Sequence, residues 1–186
     1  MQCPSRETLH DEYMFALMSL RQGLPERFGP TIDNLLAQLP RLFDLDWPLV
    51  PNHTDLLENN IHVIMTTGRI AGICDWKDTA IGPFGVSLGS LEVMLGVETM
   101  KNGWVYHDNH QELRALFWDS FYEAIGSVPE EKKELIEVAR VVGLFLDHGF
   151  MWRDETKVPA DEGYNNLRYL EAVTLKLWAP PKGEQS

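Results

Sequence analysis

Apolar residues recur at intervals of three and four along most of this chain, and the main exception is one stretch before its middle. Leu9, Tyr13, Ala16, Leu17 and Leu20 lie on one face of a helix predicted over 7–21. Gly23, Pro25, Gly29 and Pro30 interrupt that period, and Ile32, Leu35, Leu36, Leu39 and Leu42 resume it over 31–43. Ser87 reads as the cap of a helix carrying Leu88, Leu91 and Leu95 that ends near Gly96 to Thr99, and 100–108 reads as a loop or short extended piece. Leu113, Leu116, Phe117, Phe121 and Ala124 mark a helix over 111–125. Pro129-Glu130-Glu131 opens another that runs to about Asp147, with Leu135, Val138, Ala139, Val142 and Phe145 or Leu146 inward. A last helix, from about Glu162 to Leu177, carries Leu167, Leu170, Val173 and Leu175, and 179–186 reads as a loose tail.

The exception is β-rich. Runs at 61–65 and 69–74 flank Thr66-Thr67-Gly68, a turn signal that predicts a hairpin. Such a hairpin returns Asp75 to the neighbourhood of Asn60. Asp55 stands five residues before Asn60 in His53-Thr54-Asp55-Leu56-Leu57-Glu58-Asn59-Asn60. An Asp, an Asn and a second Asp in this order suit phosphoryl transfer: one carboxylate orients the attacking hydroxyl, and hard oxygen ligands hold magnesium beside the phosphates. On this reading Asp55 is the base, and Asn60 and Asp75 are the metal ligands.

These segments, with Asp75-Trp76, Ile81-Gly82-Pro83-Phe84-Gly85, the stretches 87–92 and 116–118, and Gly143-Leu144-Phe145-Leu146-Asp147-His148-Gly149-Phe150, resemble the aminoglycoside phosphotransferase and choline kinase-like family, especially its fungal branch. The resemblance runs from roughly Leu24 to Leu177. It implies a protein kinase-like fold, ATP as phosphoryl donor, Mg2+, and a small hydroxylated molecule as acceptor. It gives Asp55 the part of catalytic base and Asn60 and Asp75 those of metal ligands, while His53 is expected to support the loop backbone. Thr54 stands where the family usually has Gly. Only 52 residues precede His53, and none reads as the glycine-rich strand-loop-strand of the family's nucleotide-binding lobe. The expectation is therefore a C-terminal lobe alone: an α+β unit, mostly helical, with a short β hairpin carrying the catalytic and metal loops. The apolar face left by the missing lobe would be covered by a partner chain or by self-association. The alternative is a non-catalytic kinase-like binding or interaction module.

Length and charge narrow the picture further. A chain of 186 residues is expected to form one domain with a real core. A net charge of −12, with its basic residues scattered among more numerous acids, argues against nucleic acid as a partner. No apolar run approaches bilayer length and the start lacks signal-peptide regions, so no membrane role and a cytoplasmic location are expected. Glu130, Glu131, Glu134, Glu137, Asp161 and Glu162 read as a solvated acidic face, and Lys77 as a surface lysine. Trp76, Trp118 and Trp152 read as core packing, and Cys74 as a small hydrophobe in an apolar strand.

Overall fold

A computed structural model describes residues 4–101 and 103–176. The expected tail at 179–186 and Leu177 lie outside them. Helix α1 (Arg6–Gly23) starts where Ser5 Oγ accepts the Thr8 amide proton at 3.0 Å, and it buries Leu9, Leu17 and Leu20. Pro30 opens α2 (Gly29–Gln38), whose fixed φ suits a first turn, and Pro40 then falls in a tighter 3-10 turn over Leu39–Phe43.

Strand β1 (Leu49–Asn52) leads into the stretch that holds Asp55, and β2 (Ile61–Val63) and β3 (Ile70–Ile73) form the expected hairpin. Its register pairs Ile61 with Ile73 and Val63 with Ile70, with a bulge after His62. Gly68, at φ 70, supplies the left-handed residue of the turn. Strand β4 (Ala80–Pro83) then pairs antiparallel with β1. This second pairing, between strands almost thirty positions apart, clamps the base of the hairpin segment.

The next segment corrects the sequence reading. Ser87 does not cap a helix: it lies inside a 3-10 turn over Val86–Gly89, which passes into the short α3 (Ser90–Val93). The region expected to finish that helix is instead β5 (Gly96–Thr99), and the stretch expected as a loop or short extended piece supplies its partner β6 (Gly103–Tyr106) in a second hairpin. Helix α4 (His110–Ile125) forms as expected, but Leu113, Leu116 and Ala124 are exposed. Its packing face is the aromatic part of that period, Phe117 and Phe121, joined by Trp118 and Tyr122 in a chain of ring contacts, with Phe121 stacked on Phe84.

Helix α5 (Glu130–His148) is the central element and buries Leu135, Ile136, Ala139, Val142 and Phe145. Hairpin β7 (Phe150–Arg153) and β8 (Thr156–Pro159) follows directly, then α6 (Asn165–Glu171) and a wider π-type turn over Ala172–Lys176. Leu167, Leu170 and Val173 belong to the same buried core, with α6 packed on α5, and Phe28 meets Phe145 edge to face at 5.9 Å. Each fully buried side chain of this size contributes about 1.5–3 kcal/mol.

Gly143 sets how close α5 comes to the site. A Cβ there would stand 2.1 Å from the Val86 carbonyl oxygen, so backbone lies on backbone where α5 crosses the 86–89 turn. The result is mixed helix and short antiparallel sheet, as the α+β expectation has it. Two tryptophans depart from the core packing expected of them: Trp76 is 48% and Trp152 70% exposed, and both lie on or beside two-stranded hairpins too thin to enclose them.

Candidate active site

The loop after β1 is fixed from both ends. Asn52 is buried, and its Oδ1 accepts from the Ser87 amide at 3.2 Å and the Ser87 hydroxyl at 2.9 Å. His53, also buried, accepts the Asp55 amide proton on Nδ1 at 3.1 Å. With Nδ1 unprotonated, Nε2 carries the proton and donates to the Cys74 carbonyl at 2.8 Å. Thr54 is not in the left-handed region, so its branched side chain brings no backbone strain, and its hydroxyl donates to the Asp78 carbonyl at 3.2 Å.

Asn60 joins the two ends of the motif. Its side-chain amide donates to the Asp55 carbonyl at 2.8 Å and to Asp55 Oδ2 at 3.1 Å, and its own carbonyl accepts from the Cys74 amide at 3.0 Å. Asp75 follows at once, in the left-handed region at φ 60. A non-glycine residue there costs energy, although Asp tolerates it better than most, and such outliers concentrate at functional sites. Trp76 Nε1 donates to the Ile73 carbonyl at 2.8 Å and closes this turn. The hairpin thus brings the Asp75 backbone beside Asn60, while Asp55 touches Asn60 directly.

Cys74 corrects the sequence reading. It lies beyond the end of β3 and is exposed, with Sγ 3.3 Å from His62 Nε2 across the hairpin. The hairpin has no core beneath it, so an apolar strand here does not mean burial; Met65 is 89% and Ile70 65% exposed. Among the described residues no group of three or more His, Cys, Asp or Glu gathers to hold a metal. Asn60 and Asp75 offer amide and carboxylate oxygens, a donor set that suits magnesium when phosphate and water oxygens fill the other positions.

A cleft of about 420 Å³ opens beside Asp55 and is lined also by Thr54, Ser90, Asp147, Lys157 and Asn166. Asp147, in the last turn of α5, is open to the cleft and enclosed on its other sides. That enclosure pushes its carboxyl up to about 6; the Lys157 ammonium pulls the other way and the Asp55 charge adds to the rise. His148, on the same cleft, packs edge to face on Tyr169 at 4.6 Å, and burial lowers it to about 4. Neither residue carried a periodic signal, because both belong to the site only through the position of α5.

A buried ion cluster is centred on Glu92, between the cleft-lining Ser90 and Val93 in the chain. Glu92, 2% exposed, accepts both arms of Arg114 at 2.9 Å and the Tyr106 hydroxyl at 3.1 Å, with Arg140 Nη1 3.8 Å away. A Glu inside the Leu-rich run 87–95 was the one signal that a charge is buried here.

The chain matches the phosphotransferase enzyme family over residues 5–112, more than half its length and including Asp55, Asn60 and Asp75, and it belongs to that family. No curated protein and no solved structure matches it.

Proposed function

We propose that this chain carries the catalytic half of an ATP- and magnesium-dependent phosphotransferase that acts on a hydroxyl of a small molecule, with the architecture of a kinase-like C-terminal lobe. Asp55 orients the attacking hydroxyl and takes its proton; the adjoining cleft receives the acceptor. Asn60 and Asp75 would hold the magnesium, which neutralises charge on the phosphate oxygens when bound. His53 keeps the Asp55 loop in register with the Asp75 turn. The observation that carries this reading is the bonded chain from Asp55 through Asn60 to Cys74, ending at Asp75 in the left-handed region. The uncovered apolar side chains of the β2–β3 hairpin are, on the same reading, the surface that a partner chain or a second copy covers.

Isothermal titration with ATP, with and without magnesium, tests it. Binding that requires magnesium and is lost in Asp75→Asn is the expected result. Magnesium-independent binding, or none up to millimolar ATP, would overturn the catalytic reading and favour a non-catalytic binding module.

A further inference from the structure

In the Asp55 cleft two opposite charges lie near each other without pairing, whereas several opposite charges elsewhere on the protein are in direct contact. Arg27 pairs with Glu162, Arg41 with Glu131, Lys132 with Asp46 and Arg153 with Asp161, each in direct contact. Asp147 and Lys157 line one cleft and lie close enough to feel each other's charge, yet they form no ion pair with each other or with any other described residue. Both positions are fixed. Asp147 lies in the last turn of α5, Phe150 begins β7 three residues later, and β8 returns Lys157 with its ammonium 4.8 Å from the centre of the Phe150 ring.

A carboxylate and an ammonium held apart across one cleft are each left to water unless a ligand brings the opposite charge to both. A polycation gains at Asp147 but is repelled at Lys157, and a polyanion meets the converse; a neutral polyol gains little from either. We propose that this cleft binds a hydroxylated zwitterion, its ammonium on Asp147, its carboxylate on Lys157 and its hydroxyl toward Asp55. The direction of the hydroxyl rests on the phosphotransferase reading; the charge pairing does not. A cleft of about 420 Å³ is of the size that small-molecule sites take.

The test uses three probes of one chain length, 6-hydroxy-L-norleucine, 6-amino-1-hexanol and 6-hydroxyhexanoate, titrated at pH 7.5 without nucleotide and followed by amide chemical shifts. The zwitterion is expected to bind at least about tenfold more tightly than either single-charge probe, a difference of about 1.4 kcal/mol. Asp147→Asn is expected to abolish that advantage over 6-hydroxyhexanoate without weakening 6-hydroxyhexanoate itself, which no longer meets a repelling carboxylate. Lys157→Met is expected to do the same relative to 6-amino-1-hexanol. Equal binding of all three probes, or no binding of any, overturns the proposal, as does an advantage that survives both substitutions. Thermal melts of each variant show that it is folded. Magnesium-dependent ATP binding on the same samples reports the phosphotransferase reading separately, so either can fail without the other.

Discussion

The imidazole of His53 accepts the amide proton of Asp55 at 3.1 Å, and through its other nitrogen it holds the Cys74 carbonyl at 2.8 Å. One side chain therefore couples the loop of the proposed base to the turn of the proposed metal ligand. His53→Phe keeps the ring contact with Trp76, at 4.8 Å in the native chain, but loses both hydrogen bonds. Amide exchange at Asp55 is expected to rise about tenfold or more in this variant, corresponding to one lost hydrogen bond of about 1.5 kcal/mol. Unchanged exchange at that amide would show that the loop does not depend on His53.

Gly143→Ala is expected to be among the most damaging single methyl additions in the chain. The new Cβ meets the Val86 carbonyl oxygen, a backbone atom that cannot rotate away. Overpacking of this kind costs about 1–3 kcal/mol and here, against backbone, falls at the upper end, so a net loss remains after the about 1 kcal/mol gained by replacing a helical glycine. Urea denaturation reads the difference, and a loss under about 0.5 kcal/mol would mean that α5 shifts freely.

Glu92→Gln leaves Arg114 and Arg140 facing a neutral amide in a buried setting. Removal of one partner from such a group costs about 3–5 kcal/mol, part of which Glu137 offsets by its own bond to Arg140. The expected loss is about 2–4 kcal/mol by denaturant unfolding, well above the effect of the same change at exposed Glu130.

The neighbours Asp147 and His148 bias stability in opposite directions with pH. His148 lies below its ordinary 6.5, at about 4, so its contribution is complete above 6.5 and lost as pH falls toward 4. Asp147 lies above its ordinary 3.8, at about 6, so its contribution is present below 3.8 and lost as pH rises through 6. The two largely offset each other in the native chain. Asp147→Asn removes one of them, so the variant is expected to gain stability over the native chain from pH 4 to 7. Denaturant midpoints at unit pH intervals check this; a constant difference across that range would contradict it.

Much of the helical frame was legible in the sequence because burial on one face imposes a period of 3.6. The faces of α1 and α2, and Leu135, Ala139, Val142 and Phe145 on α5, were read this way. The β2–β3 hairpin was legible from local turn chemistry at Thr66-Thr67-Gly68. The β5–β6 hairpin was hidden because its strands are four residues long, and a leucine run leading into Gly96 imitates a helix that continues. Helix α4 was legible in part: Phe117 and Phe121 make ring contacts where their spacing predicts packing, whereas Leu113 and Leu116 of the same period are exposed.

The sequence alone determined the order and chemical type of Asp55, Asn60 and Asp75, the turn that folds the hairpin, and the helices whose period declares a buried face. These are local properties, written in residue type and spacing. Only the tertiary structure decided that Cys74 and Trp76 are exposed, that Glu92 is buried among arginines, and that Asp147 and Lys157 look across one cleft at Asp55. Each of those depends on what a distant segment places alongside, and a hairpin or a helix end carries no record in its own spacing of what will pack against it.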